Sequence, residues 1–376
     1  MELSEMKSKL SSQSVANVEF RKAKTCYPRL HGKNAVKTYH GYGKEFPVVI
    51  LSTCQGVGGW GFICHNISEV KEKASLLVGK RISDLFSPEI GILDDILTPF
   101  DIALHDLAGN ILGLPVAKML NPSAILQTSV YDGAIYMNDI IPEEKPAGVE
   151  AILRDCEYDW NLGYRTFKVK IGRGYNWMGH DEGLLRDIQI VQKIHEAFPG
   201  AGIMVDANNG YSVDDAISFM EGIEGIPLYW FEEPFNENQE DDERFHHWLD
   251  LNRPRTMIAD GENKPNIPQL LSLAANKVID VIQPDICGYG FTKWRKLMNT
   301  IVANGYLGSP HAWGDIIKTY YCGHLAAAFP HHIPCIEGII GYTEGVEHSG
   351  YSVNNGILTI PDKPGFGMDF VWGAPV

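Results

Sequence analysis

The sequence is short of basic charge. Its 32 lysines and arginines stand against 47 aspartates and glutamates, a formal net charge of −15. The charges form no long block of one sign, so the basic face that nucleic acid requires is missing. Long apolar runs are also lacking. No stretch approaches the ~20 residues that cross a bilayer, and positions 1–20 are polar, without the apolar core of a secretory signal. A cytoplasmic protein with no membrane partner is expected. Cysteine is sparse and irregular: seven residues at 26, 54, 64, 156, 287, 322 and 335, with no Cys-x-x-Cys. Reduced thiols are expected rather than disulfides or a zinc site.

At 376 residues the chain exceeds what one core normally serves, so two domains are expected. Residues 15–65 read as β. Val48-Val49-Ile50-Leu51 leads into Gly56-Val57-Gly58-Gly59-Trp60-Gly61-Phe62, which suits a turn and a returning strand. The polar stretch 27–43 carries Arg29, His31, Lys33, Lys37 and His40 and reads as a loop. From 66 to 121 the pattern turns helical. Phe100, Leu104, Leu107, Ala108, Ile111 and Leu112 recur at helix spacing, and Gly113-Leu114-Pro115 stops the run. Residues 1–125 are thus expected to form an α+β domain.

Beyond 126 short apolar runs alternate with helix-like stretches. The runs are 129–136, 166–171, 202–206, 228–232, 256–262, 278–285, 306–310 and 333–337. Eight strands with intervening helices over 126–345 predict an α/β fold, a (β/α)8-type barrel. The rival doubly wound sheet is disfavoured because no Gly-x-Gly-x-x-Gly follows any of these eight runs. The tail, 346–376, is rich in glycine and proline and is expected to return to the N-terminal domain.

Several of the runs stop on charged residues, which is unusual for buried strands and typical of the catalytic face of a barrel. Asp206, Glu232 and Glu262 end three successive strands. Three converging carboxylates repel unless a divalent cation lies between them, and all-oxygen ligation favours a hard ion such as Mg2+. Glu232 and Glu233 are adjacent, so alternation lets one of them face the axis. Asp260 and Glu262 share a face unless Gly261 bends the chain. Lys168 and Lys170, two apart, point the same way, opposite to Phe167, Val169 and Ile171. Side by side, they are expected to depress the pKa of at least one and so create a base. Asp285 and His311 end neighbouring strands, close enough for the carboxylate to fix the imidazole tautomer. Glu337 ends the eighth strand and would donate a hydrogen bond if protonated.

These motifs together resemble the mandelate racemase subgroup of the enolase superfamily. The resemblance is carried by Lys-Val-Lys (168–170), Val-Asp-Ala-Asn (205–208), Phe-Glu-Glu-Pro (231–234), Gly-Glu-Asn (261–263), Gln-Pro-Asp (283–285), Pro-His (310–311) and Ile-Glu (336–337). The segment from Ala103 to Gly109, with Gly113-Leu114-Pro115-Val116, resembles that family's capping-domain helix. The resemblance implies proton abstraction by a Lys or His base beside a metal that stabilises the enediolate. The resemblance implies one Mg2+ per subunit, held by Asp206, Glu232 and Glu262. It implies Lys170 as base on one face of the substrate, tuned by Lys168, with His311 and its partner Asp285 on the other. Glu337 would hydrogen-bond the enediolate, and Asn208 would lie near metal and substrate. Residues 27–43 would be the lid, with Arg29, His31 and Lys33 contacting a small anionic substrate. A homo-oligomer is implied as well.

Two connections are longer than the family pattern. One, 173–183, would place Arg173, Tyr175, Trp177 or His180 over the site, with Tyr175 a candidate substrate contact. The other is the acidic segment 236–250. Phe62 also stands where the family commonly has Glu. The implied reaction is removal of the proton alpha to a carboxylate. Loss of water from an acid sugar is the favoured fate, because the lid is basic and polar. Racemisation or epimerisation of a 2-hydroxy acid uses the same residues. A non-catalytic ligand-binding barrel is the alternative of another class, and a Schiff-base aldolase would have no need of the three carboxylates.

Overall fold

The computed structural model describes residues 1–371 except 237 and 263, together with the strand 374–375. Asn263 of the Gly-Glu-Asn motif therefore lies outside the described residues. The strands that carry the argument are numbered here in chain order. In the N-terminal domain, β1 (Val15–His31) pairs antiparallel with β2 (Gly41–Thr53), and β2 with β3 (Gly58–Phe62). The helix Asp101–Leu112 lies directly on β3. Its approach requires glycine: a Cβ at Gly59 would sit 2.4 Å from the Leu107 backbone, and one at Gly61 2.6 Å from Ile102.

The loop expected over 27–43 is shorter. β1 runs on to His31 and β2 begins at Gly41. Tyr27, Arg29 and His31 occupy alternate positions and are all anchored, which holds the strand out to its end. Tyr27 and His31 stack with ring centroids 3.9 Å apart, while Arg29 is captured by acidic residues of the helix Val149–Asn161.

The barrel strands are β4 (Gln127–Ile135), β5 (Thr166–Lys170), β6 (Gly202–Asp206), β7 (Trp230–Glu232), β8 (Met257–Asp260), β9 (Val281–Ile282), β10 (Leu307–Gly308) and β11 (Ile336–Gly338). Successive strands from β4 to β10 pair in parallel, and β11 pairs in parallel with β4. Between β10 and β11 the ring is closed by Gly308 N–H donating to His332 O (2.9 Å) and Ser309 Oγ donating to Cys335 O (2.9 Å). Each of the seven crossovers between the eight strands is helical, with two helices, Arg173–Asn176 and His180–Ala197, between β5 and β6, and among the described residues no helix follows β11. The chain instead returns to β1, where Tyr342–Glu344 and Ala374–Pro375 both pair antiparallel. In between, the hairpin of Ser352–Asn354 and Ile357–Thr359 pairs with the start of β4. No described helix is long and apolar enough to cross a membrane.

Inside the barrel Tyr131, Met204, Trp230, Ala259, Val281 and Cys335 form a separate apolar cluster. Met204, Trp230 and Cys335 each lie two residues before Asp206, Glu232 and Glu337, so the period of two keeps those acids on the inward face. The apolar layer fills the barrel, and the charged layer sits above it at the C-terminal mouth.

Candidate active site

The strand register sets the charged layer side by side. Lys170 is the direct partner of Asp206 across β5 and β6, and Asp206 of Glu232 across β6 and β7. Lys170 Nζ donates to Asp206 and Lys168 Nζ to Glu232, while Lys168 also lies 2.9 Å from Glu337 and 3.6 Å from Asp206. All these side chains are buried. One oxygen from each of Asp206, Glu232 and Glu262 can be chosen so that all three lie within 4.8 Å of one another. Gln283 Nε2 donates to the other oxygen of Glu232 at 3.2 Å.

The electrostatics follow from this crowding. Burial alone would lower both lysines, but the carboxylates outweigh it and hold both above the usual lysine range. The expectation of mutual depression is thereby corrected: Lys168 does lower Lys170, and Asp206 more than offsets it. Burial raises Asp206, yet Lys170 and Lys168 prevail and hold it at about 2. Burial pushes Glu232 up to about 7, because Asp206 and Glu337 add to it what Lys168 cannot offset.

Both ambiguities at the strand ends are resolved by the backbone. β7 stops at Glu232, and Glu233 takes φ 39°, so strand alternation does not reach it. The Glu233 carboxylate accepts from Asn208 Nδ2 at 3.3 Å. Gly261 bends with φ 107°, and Glu262 rather than Asp260 joins the carboxylate cluster.

Across the mouth, His311 Nδ1 lies 3.1 Å from Asp285 Oδ2. That contact leaves Nε2 facing Glu262 at 3.4 Å and Glu337 at 3.5 Å. Burial lowers His311, but Glu262, Glu337 and Asp285 together hold it above its ordinary value. Asp285 is further gripped by Lys318 Nζ and by the N–H groups of Cys287 (3.0 Å) and Gly288 (2.6 Å). Glu337 is not a donor. Burial raises it, Lys168 and His311 outweigh burial, and it is held at about 2. It accepts from the Ala312 N–H at 2.8 Å.

Room for Glu337 is made by a residue outside the motifs. A Cβ on Gly133 would fall 2.5 Å from Glu337 Oε1 and 2.6 Å from its Cγ. Gly133→Ala is expected to displace Glu337 from Lys168 and to destabilise the protein by about 1–3 kcal/mol through overpacking. Urea unfolding beside a kinetic assay checks this; unchanged stability and rate would show that the carboxylate moves aside freely.

The expected lid contacts need correction. Arg29 donates to Asp159 (2.7 Å to Oδ1) and to Ala134 O (3.1 Å), with Asp155 3.5 Å away, so its guanidinium joins the two domains. His31 is fully buried, stacked between Tyr27 and Tyr136. Lys33 Nζ lies over the Trp177 ring at 4.7 Å. Tyr175 is 55% exposed and lines a separate cleft with His180 and Tyr211. Arg173 is locked between Asp139 and Asp187, and His180 pairs with Asp181 and Asp215. The connection 173–183 therefore supports the lid from behind: Trp177 Nε1 donates to Asn34 O and Asn176 Nδ2 to Ala35 O, each at 2.7 Å.

The mouth opens into a cavity of about 880 Å3 between β2 and the ends of β8–β10. Its lining includes His311, Glu262 and Asp285 together with Lys37, Lys44 and Trp313. Lys44, Trp313 and Lys318, which also line it, carried no motif signal, nor did Tyr136 outside it, whose ring lies 5.8 Å from Lys170 Nζ.

A family model described as Enolase C-terminal domain-like matches residues 151–374. The chain belongs to the enolase superfamily. Its mandelate racemase branch is represented among solved structures that share this fold. A mandelate racemase/muconate lactonizing protein from Geobacillus sp. Y412MC10, complexed with magnesium and tartrate, is 31% identical, with a TM-score of 0.89 over 96% of this chain and 93% of that one. Galacturonate dehydratase from Geobacillus sp., complexed with D-galacturonate and 5-keto-4-deoxy-D-galacturonate, is also 31% identical, with a TM-score of 0.88 over 96% and 95%. D-galactarolactone cycloisomerase from Agrobacterium fabrum is 27% identical over 288 residues, 73% of this enolase-superfamily chain and 71% of its own.

Proposed function

We propose that the chain removes the proton alpha to the carboxylate of an acid sugar and expels water from the next carbon, giving a 2-keto-3-deoxy acid. The observation that carries this is the placement of Lys170 and the Asp285–His311 pair around one three-carboxylate cluster, of which Asp206 and Glu232 are buried. The donor set fits a hard divalent cation, being three carboxylates with Asn208 Oδ1, buried and without a hydrogen-bond partner, nearby. Asp206, Glu232 and Glu262 would hold one Mg2+. Bound there, the ion would draw off the negative charge that develops on the substrate carboxylate as the carbon loses its proton.

The chain's own groups supply the rest. With the charge of Asp206, which otherwise keeps Lys170 protonated, taken up by the ion, Lys170 Nζ or else His311 Nε2 would accept the alpha proton, and Lys168 neutralises the carboxylate end. The electron pair left on carbon forms the C=C bond while the C–O bond at the next carbon breaks. Protonated His311 gives its proton to the departing hydroxyl, so that water leaves and the enol tautomerises to the 2-keto acid. The dehydratase among the similar structures supports this fate. A base on each face also suits 1,1-proton transfer, the second reading, in which the proton returns from the opposite side.

A screen of mono- and diacid sugars with Mg2+, read as 2-keto acid formation and as alpha-proton exchange in D2O, separates the two. Exchange or epimer without keto acid would replace the dehydratase reading with the racemase one. Independently of turnover, Mg2+ is expected to raise the Tm of chelator-treated protein by binding the folded state. Asp206→Asn should remove that rise, and an equal rise in the variant would place the metal elsewhere.

A further inference from the structure

The cavity beyond His311 is cationic in a way that the proposed reaction does not use. Lys37 and Lys44 reach it from the N-terminal domain, and their ammonium groups lie 5.2 and 4.7 Å from the same indole ring, Trp313. Trp313 is two residues past His311. Lys293 lines the same cavity from the barrel side. Among the described residues none of these three lysines has a carboxylate partner. The acids in the lining are taken: Asp285 by Lys318 and His311, Glu45 by Lys22 at 3.2 Å, and Glu262 by its place in the carboxylate cluster. In a chain of net charge −15, two such lysines over one indole ring, with a third in the same cavity, mark a place made for an anion. Lys44 is accordingly lowered, first by burial and then by the proximity of Lys318 and Lys37.

We propose that the substrate of this site carries a second anionic group, carboxylate or phosphate, at the end remote from the reacting carbon, where Lys37 and Lys44 bind it over Trp313. The proposal rests on the acid-sugar reading for the near end of the cavity and deepens it at the far end. An aldonate or a uronate, with a hydroxymethyl or aldehyde terminus, would leave the lysines unmatched.

The test uses matched pairs in the galacto, gluco and manno series, aldarate against aldonate, which differ at the far carbon alone. Gluconate 6-phosphate distinguishes phosphate from carboxylate as the second group. With Mg2+ present, kcat/KM is measured for turnover, and Kd by calorimetry in a Lys170→Ala background. A doubly charged acid should be favoured by about tenfold or more. Lys37→Gln and Lys44→Gln should collapse that ratio, Lys44→Arg should restore it, and raised salt should compress it. Equal or better binding of the aldonates would overturn the proposal, as would lysine variants that weaken both partners of a pair equally. Should no acid sugar yield keto acid, the dehydratase reading fails, and the calorimetric ratio still decides this one.

Discussion

Lys170→Ala lowers kcat by about 10²–10⁴, the usual contribution of a positioned general base, and lowers stability in a manner that Mg2+ repairs. The second effect separates the two roles of this lysine. Lys170 Nζ donates to Asp206 inside a buried cluster that also contains Glu232 and Glu337. Removing one member of a buried ion pair leaves an uncompensated charge and typically costs about 3–5 kcal/mol. Here Lys168, 3.6 Å from Asp206, softens the loss. Asp206 is held at about 2 in the fold, below the ~3.9 of an unfolded aspartate. Its stabilising contribution is therefore complete above the unfolded pKa and disappears as pH falls from there toward 2. In the variant most of that pH-dependent stability should be missing. A divalent cation replaces the lost charge, so saturating Mg2+ should recover the denaturant midpoint without recovering turnover. If Mg2+ restores both, Lys170 is structural and the base is elsewhere.

The parts of the site legible in the sequence are those written along a strand. Asp206, Glu232 and Glu337 each close a short apolar run, and the period of two sets which neighbours share their face. Lys168 and Lys170 follow the same rule. Gly261 could be read as a bend because only a residue tolerant of φ 107° sits between Asp260 and Glu262. What stayed hidden depends on contacts between distant segments. Arg29 looks like a free cation until Asp155 and Asp159 are brought against it from a helix more than a hundred residues later. Lys37 and Lys44 look like any solvated pair until the N-terminal domain lays them over Trp313. Gly133 carries no signal at all, because its importance is the absence of an atom beside Glu337.

Lys318→Met is the sharper test of how His311 is tuned. Lys318 lies in the first turn of the helix Ile316–Ala328, where the helix dipole disfavours a cation. It is buried there, donating to Asp285 and, at 2.9 Å, to Trp313 O. Burial alone would strip its proton, and Asp285 prevents that by holding the lysine well above its usual range. Burial raises Asp285, and the same ammonium together with His311 outweighs it and holds Asp285 below the usual carboxylate range. Asp285 thus presents to His311 a carboxylate that orients Nδ1 and whose charge Lys318 partly offsets. In Lys318→Met the carboxylate keeps its position through the Cys287 and Gly288 N–H groups but loses its counter-charge. Unfolding free energy should fall by about 3–5 kcal/mol, as for other broken buried pairs. More tellingly, His311 should become harder to deprotonate. Since it must be neutral to accept a proton, the acidic limb of kcat/KM against pH should move to higher pH. A merely structural lysine would lower stability and leave that limb where it was.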